Sequence, residues 1–219
     1  MESKLDQELL IRLLISLVGV LVGAVLAFAF NRKLKQMDVV EERKASCRLS
    51  AYILYRQYET VLHYFEDHFL PYRNHPNKEE VIPPVRFSND VANVNVNDLA
   101  FLLSTDDPHT LHGIACLQDR YKTIGEILND RHEFHMRIQA EKGKSWVPGT
   151  LGEYDSAHLK LMTDAIFEHV PEFIEAYLIS KKRFEVQYES LFKEKGPLNY
   201  GDKPNKSSQK DAEKAGASA

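Results

Sequence analysis

Cysteine is scarce in this chain: Cys47 and Cys116 are the only two in 219 residues. Two thiols so far apart make no disulfide framework and no four-ligand zinc spacing, and they suit a reducing compartment. The ten glycines are scattered. None forms a phosphate loop or a dinucleotide fingerprint, and no serine sits in a Gly-x-Ser-x-Gly elbow. Strand-type alternation is confined to a short piece around residues 91–96. An excess of one charge is lacking too, with 28 basic against 32 acidic residues. The aromatic run Tyr52, Tyr55, Tyr58, Tyr64 and Phe65 is interleaved with Arg56, His63 and His68, but Glu59, Glu66 and Asp67 dilute the positive charge. Without a basic footprint, nucleic acid is not an expected partner. Nothing in this inventory points to a catalytic constellation or a cofactor.

What the chain does have is one long apolar run. Residues 13–30 contain no charged side chain. At roughly 1.5 Å per helical residue they cover about 27 Å, close to the ~30 Å hydrocarbon core of a bilayer. The expectation is a short extracytoplasmic N-terminus over 1–8 and a transmembrane helix over 9–30, with Arg12 reaching the headgroups. The run exceeds the usual signal-peptide core, and an acidic rather than basic segment precedes it. These features favour a signal anchor over a cleaved peptide, although Ala27-Phe28-Ala29 fits a cleavage pattern. Lys4 and Arg12 lie before the uncharged run; Arg32, Lys33, Lys35, Arg43, Lys44 and Arg48 follow it. Basic residues stay on the cytoplasmic side. The reading is a single-pass protein of the inner or plasma membrane, with its N-terminus outside and its bulk in the cytoplasm. Arg32, Lys33 and Lys35 are expected at the headgroups of the lipid bilayer.

Ser16, Gly19, Gly23 and Ala27 share a face of that helix. Small residues let two membrane helices approach closely, so this face is the candidate surface for a homo-oligomer.

Beyond the membrane the apolar spacing is helical almost throughout. The fold class expected is all-α: a transmembrane helix continuous with a cytoplasmic antiparallel three-helix bundle over 31–195, with stripes of coiled-coil type. Its long helices are placed at 31–70, 108–142 and 154–195, with a short helix over 97–104 capped by Asn97. The connector 71–96 carries four prolines but also Val81, Ile82, Val85 and Phe87, so it is expected to lie on the helices. Asp107 before Pro108 marks a helix start. Pro171 falls inside the last helix, where a kink or break is expected. The polar tail 196–219 has too little apolar surface to order itself. In an antiparallel bundle the turn holding Lys144 and Trp146 returns to the membrane surface, where Trp with flanking Lys is favoured.

Nine histidines are numerous for this length. His132 and His135, at i and i+3, are the weak candidates for metal ligands, but the remaining ligands of a carboxylate-bridged bundle site are missing. His132 sits beside Asp130, Arg131 and Glu133 on what reads as a solvated face. Three functions compete. The leading one is a membrane-anchored interaction or scaffold protein that presents the segment 72–104 to a cytoplasmic protein. The others are an oligomeric membrane-perturbing or channel-forming effector, and a metal-dependent helical enzyme.

Overall fold

The computed structural model describes residues 2–88, 90–105, 107–143 and 147–196, with side chains at Leu14 and from Ser16 onward. It divides into two units, Met1–Ala45 and Ser46–Ala219. Among the described residues four α-helices follow in order: α1 (Glu2–His68), α2 (Lys78–Val81), α3 (His109–Lys142) and α4 (Glu153–Phe192). Two 3-10 segments, Leu70–Tyr72 and Val96–Ser104, lie between α1 and α3. No strand occurs among the described residues. The all-α expectation therefore stands, with a long apolar N-terminal helix followed by further helices.

In the first unit α1 is a lone helix, and every described side chain from Ser16 to Arg43 is exposed. In the second unit three helices share one core. α1 contributes Cys47, Ala51, Leu54, Val61 and Phe65, spaced by three and four. α3 contributes Ile114, Leu117, Tyr121, Ile124 and Leu128, and α4 contributes Ile166, Val170, Phe173, Tyr177 and Phe184. Each stripe follows the helical repeat, so each helix buries one face and leaves the other to water. A smaller cluster of Phe134, Ile138 and Leu159 closes the α3–α4 end.

Helix directions follow from side-chain pairs. Along α1 and α4, Arg48 meets Glu194 at 3.7 Å, Tyr58 stacks on Tyr177 at 4.3 Å between centroids, and Phe65 meets Phe167 at 5.5 Å. The two helices are antiparallel. Along α3 and α4, Arg120 meets Glu172 at 3.0 Å, Arg131 meets Thr163 at 3.0 Å, and Lys142 meets Asp155 at 4.0 Å. They are antiparallel as well. α1 and α3 therefore run the same way, with Gln57 level with Gln118 and Phe69 level with Arg131. This corrects the expected alternation of three antiparallel helices. A strictly alternating bundle needs only short turns, whereas the chain from Phe69 to Pro108 is long enough to travel back along the bundle before α3 begins.

The turn after α3 holds the residues expected at the membrane surface. Its flanking residues Lys142 and Gly149 contact Asp155 and Glu80, at the end of the bundle where α1 finishes rather than where it enters at Ser46. Lys144 and Trp146 themselves lie outside the described residues, as does the tail beyond Gly196.

Local signals met mixed outcomes. Asp107 accepts a hydrogen bond from the His109 N–H at 3.1 Å and another from the Thr110 hydroxyl at 3.1 Å, so the Asp-Pro pair does start α3. In the short segment the cap is Asn95, whose side chain accepts from the Asn97 N–H at 3.2 Å, and the turns are 3-10 rather than α. α4 runs unbroken through Pro171. Val170 and Phe173 are almost wholly buried on either side of it, and that packing holds the helix across the missing backbone bond.

Candidate functional site

Two regions hold the candidate functional residues: the lone apolar stretch of α1 and the connector between α1 and α3.

In the apolar stretch, exposure runs all the way round the helix. Val20 is 69% exposed and Phe28 71%. Ser16, Gly19, Gly23 and Ala27 are all exposed, and a Cβ added at Gly19 or Gly23 would meet nothing within 4 Å. The small-residue face is thus open along its length. Arg32, Lys33 and Lys35 occupy the next turns and are exposed too. Among the described residues, one helix is long and apolar enough to cross a membrane, and it is this one.

The connector is built around Arg131, which is 2% exposed. Its Nε donates to Thr163 Oγ1 at 3.0 Å. Its Nη2 donates to the carbonyls of Glu79 (3.0 Å) and Ile82 (2.9 Å), and Nη1 donates to that of Pro83 (3.4 Å). The guanidinium also lies 5.4 Å from the centroid of the Phe69 ring. Burial lowers its pKa to about 10, against a smaller upward pull from Tyr64, so it keeps its charge at neutral pH. These carbonyls belong to the end of α2 and the residues just after it, where carbonyls have no helical partner and a cation is favoured. Arg131 therefore pins residues 79–83 against α3 and α4.

Further along, Gln57 and Gln118 exchange amide hydrogen bonds at 3.2 and 2.7 Å. Gln57 also donates to the Ala92 carbonyl at 2.9 Å, while Gln118 Oε1 accepts from the Val94 N–H at 2.8 Å. Asn129 accepts from the Phe87 N–H, and the Tyr64 hydroxyl donates to the Val85 carbonyl. Near the bundle end, Glu80 accepts from the Gly149 N–H and Lys78 pairs with Asp164 at 2.7 Å. The connector's backbone is thus satisfied by side chains from the long helices, and Ile82, Phe87, Val94, Leu99 and Leu102 are buried beneath it.

His132 Nδ1 lies 2.8 Å from the Pro84 carbonyl oxygen. A carbonyl only accepts, so this nitrogen carries the proton. His135 is buried, and its pKa falls to about 4 through desolvation first and then the charges of Arg131 and His132. No group of three or more His, Cys, Asp or Glu among the described residues could hold a metal ion. The structure therefore brings no third ligand to the pair and uses one of its nitrogens to fix the connector.

The residue that sequence reasoning missed is Arg131. It reads as part of a solvated face with Asp130 and Glu133, yet it occupies the core of the connector. The signal is its register: Leu128, Arg131, His135 and Ile138 continue the apolar stripe of α3 at spacings of three and four, so a charge at 131 has to face inward.

Open grooves also mark the described surface of the bundle. One, of about 290 Å³, lies between α3 and α4 beside Arg120, His169 and Glu172. The thiol of Cys116 touches His112 at 3.5 Å on a partly exposed face, whereas Cys47 is fully buried and burial pushes its thiol up to about 12. No family model matches this chain, and neither a curated protein nor a solved structure is significantly similar to it.

Proposed function

We propose that the chain is a single-pass, membrane-anchored helical scaffold whose bundle engages a cytoplasmic protein. The observation that carries the anchor is the all-round exposure of the described side chains of the uncharged stretch, Leu14 and Ser16 to Phe30. A helix that is apolar on every side is stable only inside a large core or a membrane. Each such side chain left in water forgoes about 1.5–3 kcal/mol. No second element of the first unit covers this stretch. Orientation rests on the basic residues after the span, which favour a cytoplasmic bundle and an N-terminus on the opposite side of an inner or plasma membrane. Arg32, Lys33 and Lys35 then lie among anionic headgroups.

The scaffold role is supported by how the connector is held. Side chains spend their hydrogen-bonding capacity on fixing a surface, around Arg131 and around the Gln57–Gln118 pair, rather than on converging toward a cleft. Outward-facing residues of that surface include Arg86, Ser88 and Leu103. Alkaline carbonate extraction of membranes tests the anchor: the full-length chain should stay in the pellet, and release into the supernatant would refute it. Thiol labelling of a cysteine placed at Gln36 in sealed cells tests orientation, with protection from an impermeant reagent expected. For the partner, Arg86→Glu with Leu103→Asp should remove proteins co-purified in mild detergent. An unchanged set would remove the connector from the proposal.

A further inference from the structure

The turns of α1 just past the apolar run pose a separate problem. Leu34, Met37 and Val40 are 42%, 56% and 41% exposed. They lie among Arg32, Lys33, Lys35, Asp38, Glu41, Glu42 and Arg43, and so many charges keep this stretch out of hydrocarbon. Neither lipid nor another element of the first unit covers those side chains. An isolated helical stretch of this length is also marginal in water.

The spacing says what covers Leu34 and Met37. Phe30, Leu34 and Met37 follow one another by four and three residues, and the same alternation runs back through Ala27, Gly23, Val20 and Ser16. A repeat averaging 3.5 residues is the seam of a left-handed coiled coil, with Val20, Ala27 and Leu34 at a and Ser16, Gly23, Phe30 and Met37 at d. The repeat turns charged at Glu41 and Lys44, which pair with each other at 3.1 Å. In this register Lys33 is a g residue and Asp38 the following e residue. Across a parallel dimer those positions face each other, so Lys33 of each copy meets Asp38 of the other, twice by symmetry. A parallel, in-register arrangement is also what two copies inserted the same way in one membrane must adopt.

We infer that the occupant of this face is a second copy of the chain, joined in a parallel two-stranded coiled coil through Phe30, Leu34 and Met37 and flanked by Lys33–Asp38 pairs. The inference rests on the anchored reading for its parallel alignment. It extends the small-residue face of the span into a seam outside the lipid.

Disulfide trapping of the full-length chain in native membranes tests it. Single cysteines replace Leu34 or Met37 on the seam, and Arg32 or Val39 on the opposite face, all in a Cys116→Ser background. The buried Cys47 is kept, and the background chain sets the baseline. Under mild oxidation the covalent dimer should form at least about fivefold more from positions 34 and 37 than from 32 and 39, because only seam residues approach across the axis. In the Leu34→Cys chain, Lys33→Glu or Asp38→Lys alone should lower the yield about threefold by opposing like charges, and the double exchange should restore it. Equal yields at all four positions, a maximum at 32 and 39, or no rescue by the double exchange would each overturn the pairing. Fractionation separates the two readings. A chain that pellets with membranes but lacks the seam pattern retains the anchor and loses the dimer. A chain that stays in the aqueous fraction yet shows the pattern retains the dimer and loses the anchor.

Discussion

At the residue scale Arg131 and His135 decide how the bundle tolerates polarity. A buried guanidinium is costly to desolvate, and its donors recover that cost only by serving several acceptors at once. Arg131 reaches three backbone carbonyls and one hydroxyl. Arg131→Met keeps the volume but strands the carbonyls of Glu79 and Ile82, and should destabilise the folded chain by about 2–4 kcal/mol. Thermal unfolding in mild detergent, followed by circular dichroism, measures it. Arg131→Lys should be harmful as well, since an ammonium cannot reproduce the fork. His135 gives a pH dependence with a definite sign. Its folded pKa of about 4 lies below the ordinary 6.5, because burial opposes charging and Arg131 and His132 add repulsion. As pH falls below about 6.5 the unfolded chain takes up a proton that the folded chain refuses, so stability declines until about pH 4. Above 6.5 the group contributes no pH dependence. The slope in that window is on the order of 1 kcal/mol per pH unit. It should be absent from His135→Gln in denaturant titrations at a series of pH values.

At the element scale the three long helices were legible because their stripes are long and regular: Leu54 to Phe65, Leu111 to Ile138 and Leu159 to Tyr188 each repeat at three and four. Asp107-Pro108 announced the start of α3 for a local reason, a carboxylate beside free amides. Direction was not legible. A stripe states which face is buried but not which way the helix runs, and the rule that neighbours alternate holds only when connections are short. Here the connector anchors to Gln57, Gln118, Asn129 and Arg131, contacts made across many residues that no local pattern records. Arg131 was misread for the opposite reason: its neighbours Asp130 and Glu133 suggested solvent, while its register placed it inside. Pro171 does not break α4, since burial of Val170 and Phe173 outweighs one lost hydrogen bond. That bond is still missing, so Pro171→Ala should restore it to the Phe167 carbonyl and raise stability by about 1–3 kcal/mol. The midpoint of thermal unfolding reports the gain.

At the scale of the whole molecule, the proposed anchoring depends on a stretch with no charge. A single arginine at the middle of a membrane helix costs about 2.5–3.5 kcal/mol of insertion free energy, and two cost roughly twice that. Val22→Arg with Leu26→Arg should therefore move much of the chain from the membrane pellet into the aqueous or aggregated fraction after ultracentrifugation. The bundle, whose core begins at Cys47, shares none of its buried residues with that stretch.

The parallel course of α1 and α3 also bears on how the protein is made. Gln57 finds Gln118 across 61 residues, and Tyr58 stacks on Tyr177, farther still along the chain. A ribosome adds roughly 5–20 residues each second, so the greasy side of α1 waits on the order of ten seconds for α4 to emerge. During that interval Leu54, Val61 and Phe65 have only the nascent chain or a chaperone to shelter them. The order of synthesis thus exposes the core face of α1 before α3 and α4, the helices that share its core, are made.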